Sequence, residues 1–115
     1  MADECDEIYC PVTATIQLLG QKWTLEIVRA LIGGKKRFNE LSQALDGLNA
    51  RTLSSRLRLL ESEGIVDRRT LSTIPPWVEY ELTPKGRALN AVVESMARWG
   101  RRWMQPPAKS RAKSG

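Results

Sequence analysis

The stretch LNARTLSSRLRLLESEGIV, residues 48–66, has the pattern of a single amphipathic helix. Leu53, Leu57 and Leu60 recur at spacings of four and three, which places them on one helical face. Side chains that can donate hydrogen bonds project roughly opposite, at Arg51, Ser55 and Arg58. The pattern is typical of a recognition helix, which packs on a core with one side and reads DNA with the other.

Both ends of this helix are also marked in the sequence. Asn49 is well placed as the N-cap, and Leu48 and Leu53 have the spacing of a hydrophobic staple. Gly64 can adopt the left-handed conformation that ends a helix, and two β-branched residues follow it. We therefore expect the helix to run from Asn49 to just before Gly64.

Length and charge limit what the rest of the chain can be. The 115 residues are enough for one domain with a real core but not for two. The net charge is +5, although four acidic residues lie in the first seven positions, so the remainder is more basic still. This balance favours a polyanionic partner.

The sequence predicts a soluble, cytoplasmic protein with no membrane partner. Its acidic start lacks the basic and apolar regions of a secretory signal. No apolar run reaches the length of about 18 residues that a membrane span needs. Cys5 and Cys10 are too few for a secreted disulfide scaffold and fit a reducing compartment.

Three helices are predicted before the recognition helix and its turn. Val12, Ile16 and Leu19 indicate the first, and Thr24 is the predicted N-cap of the second, which ends at Gly33-Gly34. A basic connection, Lys35-Lys36-Arg37, leads to a third short helix that Asn39 would cap and Asp46-Gly47 would end. Two short helices joined by a tight turn are typical of a helix-turn-helix.

A hairpin and a long helix follow. Residues 65–71 and 78–82 have strand patterns, and the segment 72–76, which contains Pro75-Pro76, is predicted to be the loop between them. This hairpin would form a two-stranded wing beside the recognition helix. Thr83-Pro84 then opens one long helix with more apolar side chains than so small a domain can cover.

The predicted fold is therefore α+β and mostly helical: a winged helix-turn-helix with added N- and C-terminal dimerisation helices. The domain would span residues 8–105, between an acidic N-terminus (1–7) and a basic, disordered tail (106–115). The side chains expected in a homodimer interface are Val12, Ile16, Leu19, Leu89, Val92, Val93, Met96, Trp99 and Trp103.

Several strings in this order resemble the HxlR-type family of winged-helix regulators, a branch near the MarR-like proteins. They lie between Cys10 and about Trp99 and read CP (10–11), LGQKWT (19–24), RFNEL (37–41), RTLSSRL (51–57), LESEGIV (60–66) and PPWVEYELTPKG (75–86). The resemblance implies a homodimer, recognition helices in successive major grooves of a pseudo-palindromic operator, and repression or activation of nearby genes. Trp77 departs from the family, which often carries a basic residue there.

The residues expected to contact double-stranded DNA fall into two groups. Arg51, Thr52 and Ser55 are the base-edge candidates, with Arg58 further along the same side and Arg56 at the flank of the apolar stripe, facing a phosphate or a carboxylate. The phosphate candidates elsewhere are Lys35, Lys36, Arg37, Arg68 and Arg69.

Cys10 is the other candidate functional residue, because its thiol can react with oxidants. It precedes Pro11 at the predicted start of the first helix, where the helix dipole favours a thiolate. Some members of the resembled family use a cysteine here to sense oxidants, quinones or aldehydes, with Cys5 available here as a resolving partner. The alternative is a small structural residue under the dimer interface.

Two other functions are weaker interpretations of the sequence. A winged helix can also serve as a protein-interaction module without specific DNA binding. An enzyme is the least favoured, because the chain has no histidine and no glycine-rich phosphate loop. Two cysteines alone do not fill a zinc site within one chain, and nothing indicates a cofactor or names an effector.

Overall fold

Helices pack around a small sheet in the computed structural model, which describes residues 9–74 and 76–104. The elements in chain order are α1 (Pro11–Leu19), α2 (Thr24–Ile32), β1 (Lys36–Arg37), α3 (Phe38–Ala44), α4 (Ala50–Ser62), β2 (Val66–Thr73), β3 (Pro76–Leu82), α5 (Pro84–Arg87) and α6 (Asn90–Trp103). The predicted class, α+β and mostly helical, is confirmed. The predicted segments 1–7 and 106–115 lie outside the described residues.

The core lies where α2, α3 and α4 meet the sheet. The recognition helix, α4, buries Leu53, Leu57 and Leu60 almost completely, as its spacing predicted. The other buried apolar side chains come from the neighbouring elements: Leu19, Ile27, Val28, Leu31, Leu41, Leu48, Ile65, Val66 and Leu82. The predicted helix-turn-helix, α3 and α4, is therefore held against the sheet by one continuous apolar cluster.

The sheet has three strands, in the order β1-β3-β2, with β3 antiparallel to both neighbours. The wing, which is the β2–β3 hairpin, was predicted, but β1 was not. Two residues are too short to show an alternating pattern, and β1 exists only because Lys36 pairs with Tyr80 and Arg37 with Glu79.

The wing strands are longer than predicted. β2 continues to Thr73 and β3 begins at Pro76, so most of the segment predicted to be a loop is strand. Pro76 is tolerated because it is the first residue of its strand, where a missing N–H costs the ladder least. A register shift between Thr70 and Ser72 marks an irregularity near the tip.

The start of α4 agrees with the sequence. The side-chain oxygen of Asn49 accepts a hydrogen bond from the Thr52 N–H at 2.8 Å. The helix ends before Gly64, which has φ of 75°. Both predicted signals of the recognition helix are confirmed.

Two other predicted N-caps were wrong. The N-cap of α2 is Trp23, with a left-handed φ of 79°, and Thr24 is instead the first residue of the helix and fully buried. The N-cap of α3 is Arg37, whose N–H donates to Glu40 Oε1 at 2.8 Å, while Asn39 lies inside the helix. In both cases the backbone path of the preceding turn, rather than the capping preference of a side chain, fixes the first residue.

The C-terminal part is two helices rather than one. Thr83 caps α5 as predicted, accepting from the Gly86 N–H at 3.1 Å. The Leu89 N–H then donates to the Gly86 carbonyl, a bond of three-residue span, and α6 starts at Asn90. The tighter turn at residues 88–89 separates α5 from α6.

The described part of α6 buries none of its residues within the chain. Val92, Met96, Trp99 and Trp103 are 39–60% exposed, and Val12 and Ile16 of α1 are 55% and 61% exposed. Of the other residues predicted for a dimer interface, Leu19 is buried in its own chain, and Leu89 and Val93 are half-buried. None of the helices within residues 9–74 and 76–104 is both long and apolar enough to cross a bilayer.

Candidate DNA interface

One side of α4 faces solvent and carries the predicted base-reading residues. Arg51, Ser55 and Arg58 are exposed, and Thr52 is half-buried in the first turn. The Thr52 N–H already donates to Asn49. Only the side chain of Thr52 is therefore left to contact a ligand. The exposed side matches the requirement for a helix that enters a major groove.

A concave pocket separates α4 from the wing. Its volume is about 380 Å³ and its lining includes Ser54, Arg58, Arg68 and Tyr80, with Glu61 at the same site. Arg58 Nη2 donates to Ser54 Oγ at 3.3 Å, which orients one of the two guanidinium groups. Two arginines and two hydroxyls outnumber the single carboxylate of Glu61, so the concavity suits an anionic group such as a DNA phosphate.

Arg68 and Arg69 are not equivalent, because neighbouring residues of a strand point to opposite faces of a sheet. Arg68 pairs with Tyr80 on the face that carries buried Val66, which is the face toward α4. Arg69 lies on the outer face, and its Nη2 is 3.9 Å from Glu81 Oε1. The structure thus brings Arg68, but not Arg69, together with the recognition helix.

Carboxylates accompany the basic residues near β1. Lys35 Nζ is 3.8 Å from Glu79 Oε1, and Arg37 Nε is 4.0 Å from Glu40 Oε1. Both pairs are long, and the side chains of Lys35 and Arg37 are 59% and 47% exposed, whereas Glu79 is only 18% exposed. Each pair therefore contributes little, and each cation can turn toward a phosphate. Lys36, between them, is half-buried in β1.

Arg37 is also stacked on the wing. Its guanidinium carbon lies 4.4 Å from the centroid of the Trp77 ring, and Trp77 is 40% exposed. Trp77 stands where the resembled family often has a basic residue, and here it holds a basic side chain from β1. Sequence reasoning missed this stack, because the two residues are 40 positions apart and meet only through the pairing of β1 with β3.

Arg56 is partly used inside the protein. Its Nε donates to the carbonyl oxygen of Lys22 at 2.8 Å, across 34 residues of sequence. The sequence predicted a phosphate or a carboxylate as its partner, and the observed partner is a backbone carbonyl.

Cys10 is the N-cap of α1, half-buried and extended, and no acidic residue lies in the first turn of the helix. It is disulfide-bonded in the structure. Cys5, predicted as its resolving partner, lies outside the described residues.

A larger cavity, of about 670 Å³, lies between α2 and α6. Apolar side chains of α6, including Val93 and Met96, line it together with Arg29 of α2 and Arg101 of α6. The two halves of its lining belong to helices far apart in the chain, so no local sequence pattern predicts this cavity.

The recognition helix, the wing and the exposed terminal helix together define a winged helix-turn-helix protein. The model of the HxlR-like helix-turn-helix family matches residues 18–108. The uncharacterized HTH-type transcriptional regulator sll1512 of Synechocystis is 40% identical over 106 residues, 90% of this chain and 78% of that protein.

Solved structures of transcriptional regulators are also similar to this chain. The reduced form of the transcriptional regulator YodB from B. subtilis superposes with a TM-score of 0.75 at 36% identity, covering 87% of this chain and 99% of that one. The redox regulator HypR in its oxidized form gives a TM-score of 0.77 at 40% identity, covering 84% and 100%. The chain belongs to the HxlR-like helix-turn-helix family and is a transcriptional regulator.

Proposed function

We propose that this regulator acts in the cytoplasm as a homodimer that binds a pseudo-palindromic operator with one α4 helix in each of two successive major grooves. The observation that carries the proposal is the exposed side of α4, where Arg51 and Ser55 stand free of the core. Arg51 is in the first turn of the helix, the part that usually approaches base edges in this motif.

Phosphate contacts would fix the register of the helix in the groove. The pocket between α4 and the wing supports this role for Arg58 and Arg68, since both line one concavity. Lys35, Lys36, Arg37 and Arg69 would add contacts along the flanking backbone. For Lys35, Arg37 and Arg69, a phosphate would replace a weakly held carboxylate. Arginines grouped on the groove-facing side favour DNA over the alternative of a protein-interaction module.

The dimer proposal rests on the apolar stripe that α6 exposes. Trp99 and Trp103 are each 60% exposed, although large aromatic side chains gain most from burial. Val12 and Ile16 of α1 are exposed as well, and we expect a second copy to cover both sets of side chains. Two copies would place two recognition helices about one turn of DNA apart.

Regulation through Cys10 is the second part of the proposal. HypR is described as a redox regulator, and YodB has been solved in a quinone-bound form. In this chain, Cys10 is the N-cap of α1 and is disulfide-bonded, so the structure describes its oxidised state. Its sulfur lies at the positive end of the helix dipole, the end that favours negative charge. Oxidation would join two thiols as a disulfide, with two electrons and two protons passing to the oxidant.

Selection from a random DNA duplex library tests the DNA-binding part. The wild-type protein, under reducing conditions, is expected to enrich an inverted repeat, because a two-fold dimer imposes its symmetry on the site. Arg51→Ala is expected to relax base preference at one position of each half-site and to cost about 1–3 kcal/mol of binding.

Arg98→Ala is the matched control. It removes the same charge from the polar side of α6, where Arg98 Nη2 donates to Ser95 Oγ. It is expected to leave the base preference intact. Failure to enrich any sequence, or an Arg51→Ala variant with unchanged base preference, would contradict the proposal.

A further inference from the structure

The turn between α1 and α2 is unusual in its backbone. Trp23 has a φ of 79°, the only positive φ outside glycine among the described residues. A bulky residue in this conformation is strained, and it persists only where its surroundings hold it. The carbonyl that immediately precedes Trp23 belongs to Lys22, and this oxygen accepts the Nε–H of Arg56.

The same turn also contacts the helix-turn-helix. The Trp23 ring lies near Gly47, in the turn between α3 and α4: a Cβ on Gly47 would meet the ring at an ordinary van der Waals distance of 3.8 Å. The residues 20–23 therefore touch the recognition unit at two points: its turn, through the indole, and α4 itself, through Arg56.

These two contacts differ in kind from the rest of the α4 packing. Leu53, Leu57 and Leu60 are held by apolar contacts, which are non-directional. Such packing sets the face and depth of the helix, but it does not tie α4 to a single backbone group of the α1–α2 turn. A hydrogen bond prefers a narrow range of angles, so Arg56 adds the directional restraint that the leucines lack.

We infer that Arg56 is a positioning residue that fixes the orientation of α4 on the α1–α2 body and thereby sets base selectivity, instead of contacting DNA phosphate. The inference rests on the proposed function, because orientation matters to selectivity only if α4 reads bases. In this inference, the Lys22 carbonyl, held by the strained turn at Trp23, is the point on the α1–α2 body to which Arg56 attaches α4.

Two substitutions separate positioning from charge. In Arg56→Gln, the amide nitrogen Nε2 occupies the same bond position as the arginine Nε, so a donor to Lys22 remains and the charge is lost. In Arg56→Met, the terminal methyl occupies that position, so both donor and charge are lost while the aliphatic stem stays. The two variants differ in little except the donor.

Affinities for the selected duplex and for an unrelated duplex give the first test. Arg56→Gln is expected to keep the ratio of the two affinities within about twofold of wild type, and Arg56→Met to lower it about tenfold. If Arg56 instead neutralises a phosphate, both variants lose affinity for both duplexes, the ratio is unchanged, and the salt slope falls by about 0.9 per contact. That result would overturn the inference.

A measurement without DNA keeps this test independent of the proposed function. With 5-fluorotryptophan incorporated, the ¹⁹F resonance of Trp23 is identified by its loss in Trp23→Phe. Arg56→Met is expected to shift or broaden this resonance, and Arg56→Gln to leave it in place. Identical spectra for the two variants would contradict positioning, whether or not the protein binds DNA.

Thermal unfolding of each variant accompanies both tests. Should Arg56→Met fail to fold, Arg56→Gln alone can still overturn the inference, because a fall in its salt slope would mean that the lost charge had neutralised a phosphate. If the wild-type protein enriches no sequence, that result would count against DNA reading by α4 and not against the positioning role of Arg56.

Discussion

At the residue scale, Gly86 has the least room for a side chain of all the described glycines. A Cβ at this position would collide with the carbonyl oxygen of Ile65 and come within 3.0 Å of a Leu82 methyl carbon. The same Ile65 carbonyl oxygen accepts a hydrogen bond from the Thr83 N–H at 3.0 Å. The absence of a side chain at Gly86 lets α5 lie directly on the base of the wing.

Gly86→Ala is therefore expected to destabilise the fold by about 1–3 kcal/mol, because backbone and not a flexible side chain would have to move. The midpoint of thermal unfolding should fall by several degrees, as measured by circular dichroism. Gly33→Ala is the control: Gly33 has φ of −74° and no atom near its Cβ position. Equal stability of the two variants would contradict this prediction, because it would mean that the backbone at the base of the wing can shift at little cost in free energy.

At the element scale, α4 depends on its cap. Asn49→Ala removes the acceptor of the Thr52 N–H and is expected to cost about 1 kcal/mol of the free energy of unfolding. Asn39→Ala should change the free energy of unfolding by only about a few tenths of a kcal/mol, because Asn39 is an exposed residue inside α3 and not its cap. Denaturant unfolding of both variants checks this, and a larger loss for Asn39→Ala would restore the capping role that its sequence position suggests.

The contrast between these asparagines explains what the sequence could predict. The start, the buried face and the end of α4 follow from local signals, namely Asn49, the leucine spacing and Gly64. The cap of α3 and the strand β1 do not, because Arg37 has no intrinsic preference for either position. Its place is fixed by pairing with Glu79, which is far away in the chain.

The candidate site divides in the same way. Which side of α4 faces solvent was predictable from a period of 3.6 residues. That Arg68 joins Arg58 while Arg69 turns away depends on the exact strand register, and a shift of one residue would exchange them. Contacts such as Arg56 to Lys22 depend on tertiary packing, and no local pattern announces them.

At the scale of the whole molecule, the proposed sensor and the proposed reader lie at opposite ends of a short path. Cys10 caps α1, and α1 leads through the turn at residues 20–23 to α4. With diamide as the oxidant, the affinity of wild type for its selected duplex is expected to change at least severalfold and to recover with dithiothreitol.

Cys10→Ser should bind the reduced-state duplex like wild type and lose the response, as followed by fluorescence anisotropy. Cys5→Ser distinguishes a disulfide between Cys5 and Cys10 from one that joins the Cys10 residues of two chains, since only the former requires Cys5. A Cys10→Ser variant that still responds to diamide would assign Cys10 a structural role.

The exposed stripe of α6 has a consequence for how much working regulator a cell contains. For a chain that assembles through this stripe, the supply of paired molecules rises with the square of the chain concentration while chains are scarce, and only linearly once most are paired. A modest rise in synthesis then produces a disproportionate rise in occupied operators, so a helix that buries nothing by itself makes gene control sensitive to dose.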